Sequence, residues 1–266
     1  MLPEHHDLLS WVCSDDFGTR HATLFDPGEQ SPESAALKAQ VAIEAGSRMI
    51  LIGGSTDTPE EKVHLMVQAI QEAIELRLWA TTQDTVEDED YWRVPVILFP
   101  GGAHALSSAA DGILFMMLMN SRNPKFLVEE QVRGAIWLHD SEIEMLPTGY
   151  IICEPGGKVG EIGEANLLST IEEIRSYAIC AKGFGMRILY LEAGSGAATP
   201  PPSELISAAN EIENCLFIGG GIRSIEQAKA AKEAGASWIV TGTLVEEQED
   251  LDELREKLST LISGLN

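Results

Sequence analysis

The chain has 266 residues and a mass of 28.9 kDa. Hydrophobic residues make up 44% and charged residues 23% of it, a composition that excludes disorder as the dominant state. With 18 basic and 42 acidic side chains the formal net charge is −24. Such a charge repels nucleic acid and anionic lipid headgroups, so neither is expected as a partner. No Pro-, Gly- or Ser-rich linker divides the sequence, and we expect one domain over residues 1–266.

Nothing in the sequence indicates secretion or a membrane span. The N-terminus lacks a basic region followed by a long apolar run. The most apolar stretch, 113–119, is far shorter than the roughly 20 residues that cross a bilayer. Transient apolar contact with lipid tails remains compatible with the composition. The four cysteines lack CxxC spacing and are typical of free thiols, which favours a cytoplasmic protein: Cys13, Cys153, Cys180 and Cys215.

Short apolar runs closed by turn residues recur along the chain. Continuous apolar runs are typical of strands that are buried on both faces of a parallel sheet. Amphipathic helical patterns at 59–77, 224–235 and 251–262 lie between or after them. The pattern predicts an α/β fold of the (β/α)8 TIM-barrel type, whereas an open doubly wound sheet lacks its GxGxxG signature after the first strand. The eight predicted strands are 21–28, 48–55, 94–102, 111–119, 149–157, 187–196, 215–221 and 237–243.

One connection in this pattern is too short. Only the eleven residues of 100–110, PGGAHALSSAA, separate the third and fourth runs. A crossover helix with its loops needs about a dozen residues or more. Either the third crossover helix is missing or the third strand is misassigned.

Glycine-rich segments follow three consecutive runs, at 192–196, 218–224 and 240–244. Glycine allows the backbone to approach a ligand, and converging N–H groups bind anions. Ser224 is a candidate N-cap of the next helix, whose positive end would add to the site. Tight turns would explain one such loop. Three adjacent loops favour a phosphate site at the mouth of the barrel.

Two further strand ends carry oxygen ligands, Asp26 and Ser55. A carboxylate and a hydroxyl beside phosphate oxygens form the sparse protein shell that Mg²⁺ accepts. An Asp-Pro turn and a helix cap are the alternative interpretations of these two residues. His21, His104 and His139 have no metal-binding spacing, and we expect them in the core or on the surface.

The sixth run offers a candidate for acid–base chemistry. Tyr190 and Glu192 have the same side-chain parity and therefore face the same way at the barrel mouth. A buried carboxylate beside a substrate hydroxyl is a reasonable general base. A structural role for Glu192, as an ion-pair partner of Arg223 or of a helix terminus, is the alternative, and the sequence alone leaves both interpretations open.

Seven segments of the chain together carry a family resemblance: HATLFDP, LIGGST, PVILFPGGAHALSSAADGILFMMLMNSRNP, GYIICEPGGKVG, YLEAGSGA, FIGGGIRS and VTGT. Over residues 21–242 they resemble the geranylgeranylglyceryl phosphate synthases and their bacterial heptaprenyl relatives. The resemblance implies a modified TIM barrel in which an extended segment replaces the third crossover helix. It also implies an ether-forming prenyltransferase of archaeal-type lipid synthesis. Such an enzyme joins the sn-3 hydroxyl of sn-glycerol 1-phosphate to a polyprenyl diphosphate, here geranylgeranyl diphosphate, and releases diphosphate.

The same resemblance assigns site residues and a cofactor. It places Mg²⁺ on Asp26 and Ser55, is consistent with catalytic roles for Glu192 and Tyr190, and implies a homo-oligomer, a dimer or hexamer. Trp137, in the apolar helical pattern FLVEEQVRGAIWL, is a candidate interface residue, and a position in the core is the alternative interpretation. In one departure from the family, Gly28-Glu29-Gln30 follows the Asp-Pro pair in place of an acidic and then a basic residue. The implied glycerol 1-phosphate residues are Tyr190, Leu191, Glu192, Ala193, Gly194, Ser195, Gly196, Gly220, Gly221, Gly242 and Thr243.

Two other classes of function remain open from the residues alone. A barrel isomerase or aldolase acting on a phosphorylated metabolite would share the phosphate loops. No lysine occurs within the eight strand runs, which disfavours an aldolase that forms a Schiff base. A non-enzymatic barrel would leave the glycine loops and the Tyr190/Glu192 pair unused.

Overall fold

The computed structural model describes residues 7–53, 58–83, 89–212 and 215–266. Within these ranges, eight parallel strands pair in sequence order and close into a barrel, with β8 paired to β1. The predicted (β/α)8 barrel is confirmed. The strands are β1 Arg20–Phe25, β2 Met49–Ile52, β3 Val96–Leu98, β4 Gly112–Leu118, β5 Glu144–Ile152, β6 Ile188–Glu192, β7 Cys215–Gly219 and β8 Trp238–Thr241.

Helices surround the barrel and close its lower end, which is the end where the strands begin. The helix after β7 begins as expected at Ser224, which forms a capping box with Gln227. A 3₁₀ turn spans Glu89–Trp92, and a π-helical turn, Lys125–Glu129, leads into α4. The helices are α1 Leu8–Val12, α2 Pro32–Glu44, α3 Glu60–Gln83, α4 Glu130–Asp140, α5 Gly157–Ile162, α6 Ile171–Gly183, α7 Ser203–Asn210, α8 Ile225–Glu233, α9 Thr243–Glu246 and α10 Leu251–Ser263.

The strands are shorter than most predicted runs, because the terminal glycines and prolines form loops. The prediction for β5 was wrong in its position: the strand spans Glu144–Ile152, not 149–157. It pairs with β4 from Gly112↔Glu144 to Leu118↔Tyr150. Pro147 lies within this strand, and proline lacks the N–H that a strand interior uses, so the sequence pattern hides the strand's beginning.

Residues 99–111 join β3 to β4 through turns and bends, without a helix. Side chains hold this segment against α3 and β3. His64 and Ser107 share a hydrogen bond of 2.8 Å. Asp111 accepts bonds from the Val96 N–H at 2.8 Å and from Gln71 at 3.0 Å. The segment therefore leaves one side of the barrel without an outer crossover helix between β3 and β4.

α1 closes the amino-terminal end of the barrel. Leu8 and Val12 are fully buried in the cluster that fills the barrel interior, together with Trp238 and Phe217. Leu8 packs so closely on Gly112 that a Cβ there would lie 2.5 Å from the Leu8 Cδ2. No helix in the described ranges has the length and apolarity that a membrane crossing requires.

Candidate active site

A cavity of about 380 Å³ opens at the carboxyl ends of the strands, the end of the barrel where active sites are built. The ends of β1, β2, β6, β7 and β8 contribute to its wall. Of the predicted site residues, those that line it are Asp26, Tyr190, Glu192, Ser195, Gly220, Gly221, Gly242 and Thr243.

Glu192 ends β6 and is only 6% exposed. Its Oε1 accepts a hydrogen bond of 2.7 Å from the Gly194 N–H. Burial raises the pKa of Glu192 from its ordinary value of 4.5 to about 7, because a dry environment penalises the charged form. No ion pair between Glu192 and Arg223 forms in the described chain, since Arg223 pairs with Glu247 at 2.8 Å. The ion-pair interpretation of Glu192 was therefore wrong, and the carboxyl group has a pKa suited to a base.

Tyr190 lies on the same face of β6 and is fully buried. Its ring stacks on Phe99 at 5.2 Å and meets Tyr150 edge-on at 5.2 Å. Its hydroxyl lies beside the Glu192 carboxylate and interacts with it, which lowers the pKa of Glu192 against the larger effect of burial. The two groups form no hydrogen bond of good geometry within the described structure. A ligand hydroxyl placed between them would therefore satisfy both groups.

The glycine loops meet around this pair. Gly220 and Gly221 have φ of +78° and +74°, a region that disfavours other residues. A Cβ on Gly220 would overlap the Glu192 carboxylate and lie 2.8 Å from the Gly194 nitrogen. Ser195 and Thr243 approach each other, with their hydroxyl oxygens 3.5 Å apart. The loops after β6, β7 and β8 thus lie together at one side of the cavity.

Backbone donors in these loops differ in availability. The Gly194 N–H bonds Glu192, and the Ala193 N–H bonds the Gly219 carbonyl at 3.2 Å. Within the described residues no hydrogen bond is formed by the N–H groups of Ser195, Gly196, Gly220 and Gly221. Leu191 is buried on the opposite face of β6, in the layer between barrel and helices. Leu191, Ala193, Gly194 and Gly196 do not line the cavity wall.

Carboxylates line the cavity where β1 ends beside β8. Asp26, Glu29 and Glu246 line it, and Asp26 Oδ1 accepts a bond of 2.7 Å from the Gly28 N–H. Burial, and then the charges of Asp26 and Glu29, raise the pKa of Glu246 to about 7. One or two protein carboxylates suffice for Mg²⁺ where phosphate oxygens and water complete its octahedron. Among the described residues, no group of three or more Asp, Glu, His or Cys side chains is placed to hold a metal ion, and Asp26 offers the single carboxylate that such an arrangement would use. Ser55, the second predicted ligand, lies outside the described residues.

His21, which was expected in the core or on the surface, is a core residue. His21 is buried on β1 and bonds Ser47 at 2.6 Å and Thr241 at 3.0 Å. Burial lowers the pKa of His21 to about 3. The ring is therefore neutral and structural.

Sequence reasoning missed several residues that line the cavity. Tyr150 on β5 is one, and the strand register places it directly beside Tyr190. Lys158 and Arg223 are the basic side chains that line the cavity within the described residues. The GYIICEPGGK and GGGIR segments contain these three residues. Strand pairing places Tyr150 in the site, whereas Lys158 and Arg223 reach it from segments that follow β5 and β7.

The cavity continues away from the polar residues as an apolar arm. This arm passes between residues 99–111, β4 and α4. Glu130 on α4 is buried at its edge and accepts a bond of 2.7 Å from the Ala103 N–H. Apolar residues lining the arm include Phe99, Leu106, Ile113, Phe115, Gly134 and Leu138. The site thus joins a polar head, made by glycine loops and carboxylates, to an apolar extension.

The PcrB family model matches residues 14–261 of this chain. The chain belongs to the PcrB family. Curated relatives of this PcrB-family protein include the geranylgeranylglyceryl phosphate synthase of Methanococcoides burtonii, 41% identical over 252 residues that cover 93% of this chain and 94% of that protein. The synthase of Thermococcus gammatolerans is 40% identical over 248 residues, 92% of this chain and 91% of that protein. The predicted resemblance is confirmed.

Solved structures agree with the sequence relatives. One is the crystal structure of (S)-3-O-geranylgeranylglyceryl phosphate synthase from Thermoplasma acidophilum in complex with the substrate sn-glycerol-1-phosphate. It superposes with a TM-score of 0.87 at 33% identity and covers 98% of this chain and 99% of that one. The Thermoplasma volcanium synthase has a TM-score of 0.82 at 35% identity, and the match covers 93% of this chain and 92% of that one.

Proposed function

We propose that this PcrB-family protein is a prenyltransferase that makes geranylgeranylglyceryl phosphate. The reaction joins the sn-3 hydroxyl of sn-glycerol 1-phosphate to C1 of a polyprenyl diphosphate, geranylgeranyl diphosphate, and releases diphosphate. The names of the relatives and the complex of the Thermoplasma acidophilum enzyme support the two substrate classes. The cavity supports them independently, because it has a polar head and an apolar arm.

One observation carries the proposal most directly. The Tyr190 hydroxyl and the buried Glu192 carboxylate face one cavity, between the glycine loops and the apolar arm. The hydroxyl groups of glycerol 1-phosphate would bind Tyr190 and Glu192, and its phosphate would bind the glycine loops. The N–H groups of Ser195, Gly220 and Gly221 line the cavity, form no hydrogen bond in the described structure, and suit the phosphate. Lys158 and Arg223 add positive charge to a wall that is otherwise acidic.

Glu192 is the proposed general base. Its raised pKa, about 7, allows it to accept the proton of the sn-3 hydroxyl as that oxygen forms its bond to C1. The C1–O bond to diphosphate breaks in the same exchange, and the electron pair leaves with diphosphate. Tyr190 orients the glycerol hydroxyls, and the loops fix the phosphate, which turns an encounter into a positioned reaction.

Mg²⁺ is proposed as the cofactor. Asp26 would hold it, with Ser55 as the second ligand, and the chemistry of the acidic wall supports this choice. A divalent cation there would supply charge neutralisation for the leaving diphosphate. Mg²⁺ would also relieve the repulsion among Asp26, Glu29 and Glu246.

The proposed activity is tested by incubating the protein with radiolabelled sn-glycerol 1-phosphate, geranylgeranyl diphosphate and Mg²⁺, followed by butanol extraction. We expect label in the organic phase with the sn-1 enantiomer and none with sn-glycerol 3-phosphate. Prenyl diphosphates of other lengths serve as parallel donors. The absence of organic label with every donor would contradict the proposal.

A homo-oligomer, a dimer or hexamer, is proposed from the outer face of α4 and of the π-helical turn before it. Val128, Val132 and Ile136 recur at helical spacing with Trp137 beside them, and Ile136 is 78% exposed. Such an unpaired apolar stripe favours association. Light scattering should give a multiple of 28.9 kDa, and Ile136→Glu should lower it while Ile179→Glu on α6 should not. A monomeric mass for the wild type would contradict this.

A cytoplasmic location is proposed on the four free thiols.

A further inference from the structure

The lower end of the barrel, opposite the cavity, holds a second cluster of reactive groups. α1 is clamped there at both ends. The Leu8 and Leu9 N–H groups donate to the Glu144 carboxylate at 2.8 and 2.9 Å. Arg20 donates to the carbonyls of Trp11 at 3.0 Å and Val12 at 2.7 Å. Residue 13, which follows α1 directly, is thereby held against the base of β7.

Cys13 and Cys215 face each other at this point. The Cys215 thiol contacts the Val12 carbonyl at 3.4 Å, and the Cys13 sulfur lies 4.0 Å from the Arg187 carbonyl. That same Arg187 carbonyl accepts the Cys215 N–H at 3.1 Å. Each thiol therefore contacts the backbone next to the other cysteine. Both residues are partly accessible.

The surroundings favour one thiolate in this pair. The hydrogen bond from the Cys215 thiol lowers the pKa of Cys13, and the nearby charges of Arg187 and Arg20 act in the same direction. The same bond, together with burial, raises the pKa of Cys215 well above its ordinary value. A partly exposed cysteine beside cations, with a second thiol in contact, has the features of a reactive dithiol.

We propose that Cys13 and Cys215 form a dithiol site that reacts with small-molecule disulfides and closes as an intramolecular disulfide between α1 and β7. The Cys13 thiolate attacks one sulfur of a disulfide RSSR, which forms a Cys13–SR mixed disulfide and releases RS⁻. The Cys215 thiol loses its proton to solvent and attacks the Cys13 sulfur, which releases a second RS⁻. The protein is oxidised by two electrons and RSSR is reduced to two thiolates.

The disulfide would fasten the helix that closes the barrel. It would link residues 202 positions apart, and cross-links that close long loops restrict the unfolded chain strongly. We expect the oxidised protein to melt roughly 5–10 °C higher than the reduced protein. Neither cysteine lines the cavity, so kcat should change less than about twofold.

The test exposes the reduced full-length protein to oxidised glutathione and then alkylates the remaining thiols in denaturant. Cys13 and Cys215 should escape alkylation, and peptide mapping should join their two peptides. Cys215→Ser should stop at a Cys13–glutathione mixed disulfide. Cys180→Ser, which removes the exposed thiol on α6, should form the same cross-link as the wild type.

Three results would overturn the proposal. One is glutathione on both Cys13 and Cys215 without a cross-link. Another is a cross-link that uses Cys180 or Cys153 instead. The third is an oxidised protein whose melting temperature equals that of the reduced protein while the expected cross-link is present, which would show that the bond does not fasten α1.

Discussion

Glu192 Oε2 and the Tyr190 hydroxyl both lie over Gly219, where an added Cβ would stand 2.7 Å from Oε2 and overlap the hydroxyl oxygen. The bond from the Gly194 N–H holds the other carboxylate oxygen. The absence of a side chain at Gly219 therefore makes the space in which a phenol and a carboxyl group can share one substrate hydroxyl. The Tyr190 hydroxyl, proposed to orient the glycerol, and the Glu192 carboxyl, proposed to accept its proton, can therefore be tested separately.

Tyr190→Phe should separate binding from packing. The variant keeps the ring packed between Phe99 and Tyr150 and removes the hydroxyl beside the Glu192 carboxylate. We expect the free energy of unfolding in urea to change by less than about 1 kcal/mol, because that hydroxyl forms no hydrogen bond of good geometry in the folded protein. The Kd of glycerol 1-phosphate, measured by calorimetry, should rise about tenfold, because a bound substrate loses that hydroxyl. Tyr177→Phe, at a half-buried position on α6, is the control and should alter neither quantity; a Tyr190→Phe variant with an unchanged Kd would contradict the inference.

The sequence predicted the barrel and the central pair for a physical reason. Strand parity fixes which residues face inward, so Tyr190 and Glu192 could be placed together from β6 alone. Tyr150 could not, because its position beside Tyr190 depends on the register of β5, and Pro147 hides where that strand begins.

Loop residues were harder still. Glu246 and Lys158 follow β8 and β5 in α9 and α5, and the sequence shows them only as ordinary surface charges. Their place in the cavity wall depends on how those short helices turn back over the barrel mouth. Side-chain periodicity does not encode that turn. The glycine segments were informative by contrast, because positive φ angles at Gly194, Gly220 and Gly221 restrict these positions to glycine.

The stability of the protein should depend on pH through Glu192. Its pKa is about 7 in the folded state against an ordinary 4.5, so the folded state binds more protons between these values. The contribution of Glu192 to the free energy of unfolding is fully present below pH 4.5 and is lost as the pH rises through 7. Glu192→Gln removes this pH-dependent loss of stability, because glutamine does not ionise. Relative to wild type, the variant should gain on the order of 3 kcal/mol in unfolding free energy from pH 4.5 to pH 8.

Urea titrations of both proteins across this range provide the measurement. Glu246 has a raised pKa as well, but it is present in both proteins and cancels in the difference. Glu142→Gln, a change at an exposed position, is the control and should run parallel to wild type. A Glu192→Gln curve that is also parallel to wild type would mean that Glu192 is not penalised by burial.

Asp26→Asn should weaken the effect of Mg²⁺. Ligands that bind only the folded state raise its melting temperature, so diphosphate with Mg²⁺ should stabilise the wild type. We expect the asparagine variant to lose most of that shift and to need at least about tenfold more Mg²⁺ for half-maximal turnover, since it lacks a charged ligand. Glu29→Gln changes the same wall without removing the proposed ligand and should retain most of the shift. Equal shifts in wild type and Asp26→Asn would exclude Asp26 as the ligand.

Glu192→Gln tests the proposed base directly. Glutamine has nearly the same shape and can still bond the glycerol hydroxyls, but it accepts no proton at neutral pH. If the carboxylate removes the sn-3 proton, kcat should fall by roughly 10²–10⁴. The wild-type profile of kcat/KM should rise with pH through a value near 7, and the variant should lack that limb.

The Kd of glycerol 1-phosphate separates this role from positioning. The phosphate is assigned to backbone N–H groups that the substitution does not touch, so calorimetry should give nearly the same Kd for both proteins. The opposite pattern has a physical basis. A prenyl diphosphate that ionises before attack yields an allylic cation, which captures a neutral alcohol and needs little help from a base. Weaker binding with an unchanged kcat would therefore show that Glu192 only orients the glycerol, and that loss of diphosphate limits the rate.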